Sequence, residues 1–562
     1  MSNSSSGASD NFEARQNSFT YYPVALSVMT TVFFMWGFLT CLNDILIPHL
    51  KTVFELNYAQ AMLVQFTFFG AYFLMSIPGG KIVSSLGYKK GIVTGLIIAA
   101  IGAFGFWPAA ISSNYYIFLL ALFILATGIT ILQVAANPYV TLLGSQKTSS
   151  SRLNLAQAFN ALGTTVAPYL GGILILVGAS YTLPKDVATA PETIQLISTL
   201  ENKPTTDIQS AFNQAKPENV AYALKNIPPF IFNKLSNELL LEQANRLPPE
   251  ILGTVLSDIP TEQKLYILSN IPAEKLEQLP ADALVQSMDG LVTTSLDPNQ
   301  TNMLQKLKSE ITPSAKQKMQ EYRNNQAKSV QKPYAILGII LLLLAGFVAI
   351  FKLPENKDQA EESKNTPHSL KDVFQYPHAV LGALGIFFYV GAEVSVGSFM
   401  ISYLTLPDIG RMTEQVASQY VAFFWGGAMV GRVIGSALMV KISPRKLLSL
   451  CAIVNLCLLV ITMLSSGNVA VYSIISIGLF NSIMFPTIFS LAITGMGILT
   501  EQASSLVVMA IVGGAVIPFA QGFIADSIGL HHAFLLPLLC YVYILYYGVS
   551  GAKPSKTVIE QS

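Results

Sequence analysis

The chain has 562 residues, of which 52% are hydrophobic and 12% charged, and its mean hydropathy is +0.51. Soluble proteins carry roughly twice that charged share, so the composition excludes a soluble enzyme and a disordered chain. A net charge of +1 offers no basic field for a polyanion, which excludes a nucleic-acid binder.

The charges are unevenly placed. Residues 182–332 hold 15 Lys/Arg and 17 Asp/Glu, and the rest of the chain holds only 33 charges. That contrast describes an integral membrane protein with one large soluble insertion. The start, 1–21, is polar and reads as a cytoplasmic tail. The first apolar run, near Tyr22 to Leu46, lacks the short core and small-residue cleavage site of a signal peptide and is expected to remain as a span. Runs of about 20 apolar residues, the length a spanning helix needs, fall near 22–47, 59–83, 91–112, 115–143, 153–180, 334–352, 377–405, 416–440, 446–466, 470–497, 502–527 and 533–550.

These runs predict an all-α membrane protein of twelve transmembrane helices in two six-helix halves. Spans 1–5 occupy 22–181, a helical extracytoplasmic insertion 182–332, and span 6 333–352. A cytoplasmic linker at 353–376, spans 7–12 at 377–550 and a cytoplasmic tail at 551–562 complete the chain. With the N-terminus inside, fifteen cations fall on inside segments and only Lys51 and Arg411 on short outside loops. The positive-inside rule then puts both termini in the cytoplasm and the insertion outside.

The insertion is punctuated by Ile227-Pro228, Leu247-Pro248, Ile259-Pro260, Ile271-Pro272 and Leu279-Pro280. Proline favours a helix start, so short stacked helices are expected. This segment could bind an extracytoplasmic protein partner, cover the outer vestibule, or take no part in transport. Cys41, Cys451, Cys457 and Cys540 lie in apolar stretches with no CxxC pair, and His531-His532 stand without further ligands. No metal or organic cofactor is expected.

The halves repeat. FFGAYFLMSIPGGKIVSSLGYKKGI near Phe68 aligns with FFWGGAMVGRVIGSALMVKISPRKLL near Phe423, which places Gly80 on Gly435 and Lys89-Lys90 within a residue of Arg445-Lys446. Small residues here let helices approach, and the basic turns face the cytoplasm. Ionisable side chains inside spans are costly and call for a function. Asp44 of span 1 and Glu393 of span 7 are candidates for proton or cation coupling, with Arg432 of span 8 a candidate ion-pair partner for Glu393. Glu501 and Asp526 sit near span ends, where solvation suffices. Gln133 and Asn137 in span 4, and Asn154, Gln157 and Asn160 in span 5, are spaced to share a face on each helix. Amides both donate and accept, so such faces suit a polyol. Trp36, Phe68, Tyr389 and Trp425 are available to stack on a sugar ring.

LNDILIP in span 1, AANPYVTLLG in span 4, RLNLAQAFNALG in span 5 and FPTIFSLAI in span 10 together resemble the fucose/hexose symporter family of the major facilitator superfamily. FFYVGAEVSVGSF in span 7 looks like its glucose/galactose branch. The resemblance covers every span but not the insertion, and Ser84 stands where the superfamily's loop usually has Asp. It implies uptake of a monosaccharide driven by a cation gradient, through a monomer in the bacterial inner membrane. In the fucose branch a span 1 Asp and a span 4 Glu are associated with coupling and sugar binding. Asp44 matches the first, but Gln133 occupies the second place and cannot titrate. Either Asp44 acts alone, Glu393 supplies the second charge, the ion is Na+ rather than H+, or the protein is a uniporter. Fucose and N-acetylglucosamine are rival substrates, and a transporter-derived sensor using the insertion is the rival outside transport. No Walker loop, GxSxG or metal cluster points to an enzyme.

Overall fold

The computed structural model describes residues 22–56, 58–175, 183–202, 205–227, 235–256, 259–292, 297–354, 369–404, 406, 409–410, 412 and 414–554. In lipid every backbone polar group must be paired within the protein, which helices achieve. Among the described residues there is no strand. Eleven helices among the described residues are long and apolar enough to cross a membrane. The twelfth, span 5 at Ser149–Ile175, has 27 residues and opens on serine and amide side chains.

Spans 1–4 are Pro23–Phe54, Tyr58–Leu86, Tyr88–Ser112 and Tyr115–Leu142; span 6 is Gln331–Ile350. Spans 7–9 are Pro377–Leu404, Glu414–Leu438 and Pro444–Leu464. The last three are interrupted: span 10 runs Gly467–Asn481 then Met484–Ala492, span 11 Thr500–Met509 then Gly513–Ile528, and span 12 Leu530–Ala533 then Leu535–Tyr546. Local chemistry sets several ends. Ser113 takes a left-handed conformation (φ 45°) after span 3, and Asn114 caps span 4 by accepting from the backbone N–H groups of Tyr116 and Ile117.

Spans 3, 4 and 6 pack closely. A Cβ on Gly102 would land on the Leu125 backbone, and one on Gly128 on the Ala99 backbone, so spans 3 and 4 touch main chain to main chain. Phe106 and Tyr334 stack beside them with ring centres 4.0 Å apart. The repeated glycines behave alike: a Cβ on Gly80 would strike the Ser505 side chain, and one on Gly435 the Ile483 side chain.

A second compact unit comprises Leu46–Met62 and Gly172–Val330. Its helices follow one grammar. Ile227, Leu247, Ile271 and Leu279 each end a helix in extended conformation with the side chain buried, and Pro248, Pro272 and Pro280 follow three of them. Pro228 lies outside the described residues. Alternate helices stack: Pro191–Asn202 on Pro217–Asn226, then Pro249–Leu256, Ala281–Val292 and Pro313–Ser329. A second row is Asn237–Arg246, Thr261–Asn270 and Pro298–Glu310. The result is a two-row helical solenoid. Arg323, only 4% exposed, bonds to Asp289 at 2.6 Å and pairs with Glu55, which follows span 1 in a left-handed conformation (φ 50°).

Candidate functional site

Two prolines set the geometry. In a helix, the carbonyl four residues before a proline loses its N–H partner. Pro138 in span 4 frees the Val134 carbonyl, and Ser504 Oγ of span 11 donates to it at 3.1 Å. Pro486 in span 10 frees the Ser482 carbonyl, the helix breaks there, and Arg432 Nε of span 8 donates to it at 3.1 Å. Spans 4 and 10 hold equivalent places in the two halves, so the internal repeat extends to these prolines.

Five residues before each proline stands a buried amide. Gln133 Nε2 donates to the Tyr72 hydroxyl of span 2 at 2.8 Å, and the Trp36 side chain reaches the same hydroxyl. Phe68 packs edge-on to Tyr72, with ring centres 5.4 Å apart. The Asn481 side-chain oxygen accepts from Asn455 Nδ2 at 2.8 Å and from the Tyr541 hydroxyl. Tyr72, Asn455, Asn481 and Tyr541 are absent from the sequence-based candidates. The repeat could have found Asn481, because it occupies the place of Gln133.

The span 5 amides do not share one face. Gln157 Nε2 donates to Asn137 Oδ1 at 3.4 Å, joining spans 4 and 5. Asn154 Nδ2 reaches Thr487 Oγ1 in span 10 at 3.3 Å, whereas Asn160 Nδ2 reaches the Phe33 carbonyl in span 1 at 3.1 Å. Three-residue steps turn a helix back by about 60° each, so the first and last amides point about 120° apart. Gln133 Oε1, Asn137 Nδ2 and Asn154 Oδ1 are buried without a hydrogen-bond partner.

In the other half, the Tyr389 hydroxyl lies 2.7 Å from Glu393 Oε1 and 3.1 Å from the Asn481 carbonyl. Glu393 and Arg432 form no salt bridge, so the expected direct pair is replaced by other contacts. The guanidinium is drawn instead to the carbonyl that Pro486 leaves open, and its Nη1 donates to the Gln157 carbonyl at 3.2 Å. Trp425 packs over Gly397 and is 36% exposed, apart from the buried amides. The side chains of Asp44 and Asp526 lie outside the described residues, as do Arg411 and the chain beyond Pro554. Glu501, at the start of span 11, is half-buried, and the Tyr88 hydroxyl reaches it from the opposite half.

Further contacts join the halves at the end that carries the basic turns. Ser150 Oγ and Ser490 Oγ are 2.6 Å apart, and Ser151 Oγ donates to the Ser436 carbonyl at 2.8 Å. Lys90 and Lys446 are exposed, Lys89 is half-exposed, and Arg445 Nη2 donates to the Val549 carbonyl at 2.6 Å.

The family model of the Major Facilitator Superfamily matches residues 25–183. The glucose/galactose transporter of Brucella abortus biovar 1 (strain 9-941) is 41% identical over 532 residues, covering 95% of either chain. The L-fucose-proton symporter of Escherichia coli (strain K12) is 29% identical over 531 residues, 94% of this chain and 92% of the symporter. The crystal structure of the major facilitator transporter FucP in the outward conformation superposes with a TM-score of 0.62 at 27% identity, covering 94% of this chain and 98% of that one. The two relatives and the solved structure match over nearly the whole chain, and the chain therefore belongs to the fucose/hexose symporter family of the major facilitator superfamily, in its glucose/galactose transporter branch.

Proposed function

We propose that the protein imports a glucose/galactose-type hexose by cation-coupled symport, the two halves rocking about the buried polar belt. The carrying observation is the set of unpaired amide groups: Gln133 Oε1, Asn137 Nδ2 and Asn154 Oδ1. A buried polar group left without a partner costs roughly 1–3 kcal/mol. Hydroxyls of a pyranose both donate and accept, so an incoming sugar could satisfy acceptors and donor alike. Trp36 and Phe68 both contact Tyr72, the partner of Gln133, and are the proposed ring faces. The names of the relatives, transporters of glucose/galactose and of fucose with a proton, support the substrate class.

Asp44 and Glu393 are the proposed coupling groups, for H+ or Na+. An uncoupled carrier is the second reading, favoured by one observation: Gln133 sits in the sugar belt where the fucose branch has a titratable residue. The proposed location is a bacterial inner membrane with both termini cytoplasmic, a reading that the cation bias and the bacterial relatives support. On that orientation the seryl contacts between the halves lie at the cytoplasmic end. The insertion is proposed as an outside domain that could receive a protein partner.

Purified protein in liposomes preloaded with unlabelled glucose should draw in labelled glucose by counterflow. Galactose in excess is expected to compete, and fucose and N-acetylglucosamine to compete weakly. Counterflow driven only by fucose or by N-acetylglucosamine would replace the hexose assignment.

A further inference from the structure

Tyr389 presents one hydroxyl hydrogen to two acceptors. Glu393 Oε1 lies 2.7 Å away and the Asn481 carbonyl 3.1 Å away, at the last residue before the break in span 10. A phenol has a single O–H, so it can donate to only one of them at a time. Which acceptor it serves depends on the state of the carboxyl. An ionised carboxylate is the stronger acceptor and takes the hydrogen. A protonated carboxyl can instead donate its own hydrogen to the Tyr389 oxygen, which frees the tyrosine hydrogen for Asn481.

We infer that Tyr389 is a positioning residue that transmits the protonation of Glu393 to the break in span 10. It rests on reading Glu393 as a coupling carboxylate and adds how that charge is converted into movement. Glu393 takes one proton from solvent, its O–H points to Tyr389, and the Tyr389 hydrogen turns to the Asn481 carbonyl. The break is then tied to span 7 and both segments of span 10 move with their half. When the proton leaves, the tyrosine turns back to the carboxylate and the break loosens.

The surroundings suit this role. Asn481 is fully buried, so water does not compete for its carbonyl. Its side-chain oxygen is already held by Asn455 and Tyr541. The Ser482 carbonyl is held by Arg432, whose other arm reaches the Gln157 carbonyl in the amide belt. A change at Asn481 is therefore one residue from the contact that joins the two halves. The charged and titratable groups that face Glu393 from neighbouring spans are Arg432 of span 8 and Tyr541 of span 12. Spans 10 and 11 bring none among the described residues.

The test compares wild type, Tyr389→Phe, Glu393→Gln and the double variant by hexose counterflow in liposomes, with equal pH on both sides. The readout is the ratio of rates at about pH 5.5 and about pH 8.5. Wild type should show a ratio of about fivefold, the effect of one hydrogen bond on an opening equilibrium. All three variants should show a ratio near one. A tyrosine that only packs would lower both rates together and keep the ratio. If Glu393→Gln keeps the wild-type ratio, the coupling reading of Glu393 fails. If Glu393→Gln flattens the ratio and Tyr389→Phe does not, the coupling reading stands and the relay is overturned. Should Tyr389→Phe not fold, hydrogen exchange of the amides of Ile483, Met484 and Phe485 in the wild type decides. After correction for intrinsic rates, stronger protection at low pH supports the relay, and equal protection at both pH values overturns it.

Discussion

Cysteines at both Ser150 and Ser490 are expected to stop hexose uptake in oxidised protein and to release it on reduction. The two hydroxyl oxygens are 2.6 Å apart and belong to opposite halves, so the thiols that replace them can reach bonding distance with little backbone movement. Ser151 and Ser436 exchange hydrogen bonds beside them, each side chain donating to the other's carbonyl at 2.8 and 2.9 Å. If the halves must part here for the site to open inward, a covalent tie at this place leaves no route. Uptake should fall by more than about tenfold, as expected when a required rocking step is blocked. Each single variant should stay near wild type, because a serine hydroxyl contact is worth only about 1 kcal/mol. Full uptake in the verified disulfide form would show that these residues do not separate during transport.

Replacing Arg432 should be nearly as severe, for a different reason. Its Nε satisfies the Ser482 carbonyl that Pro486 strands, and its Nη1 ties the Gln157 carbonyl of the opposite half. Hydrogen bonds from charged donors are each worth roughly 1.5–3 kcal/mol. Arg432→Gln loses the charge and at least one of the two bonds, so maximal uptake is expected to fall by about 10- to 100-fold. Arg432→Lys keeps the charge but not the fork, and should recover only part of the rate. Surface expression and thermal unfolding of both variants separate lost transport from lost folding. An Arg432→Gln protein that is folded and carries sugar at the wild-type rate would remove the guanidinium from the account.

Much of the fold is readable in the sequence because lipid makes the rule simple: about 20 apolar residues make one helix. The breaks are harder to read. Pro486 and Pro518 both lie inside runs that pass for single spans, yet only span 10 breaks within four residues before its proline. The donor that holds the freed Ser482 carbonyl, Arg432, comes from fifty residues away. Hydropathy alone ends span 1 near residue 47. The helix continues to Phe54 because backbone pairing does not stop where the apolar run does, and its end joins the insertion unit through Glu55 and Arg323.

The site divides the same way. Gln133 and Asn137 could be chosen by spacing, since a four-residue interval holds a face. Asn154 and Asn160 separate because their six-residue interval does not. Glu393 was visible as a charge in an apolar span, but its partner was not. Arg432 reads as the natural counter-ion, yet its Nε donates to the stranded Ser482 carbonyl, and Tyr389, one helical turn from Glu393, holds the carboxyl.

The most direct test of the account is concentrative uptake. Liposomes containing the purified protein would receive labelled glucose under an imposed inward proton gradient and, separately, an inward sodium gradient. The account predicts accumulation above the external concentration with one of the two ions, and its loss in Glu393→Gln or in Asp44→Asn. Flux that only equilibrates under both gradients would contradict symport and leave an uncoupled carrier.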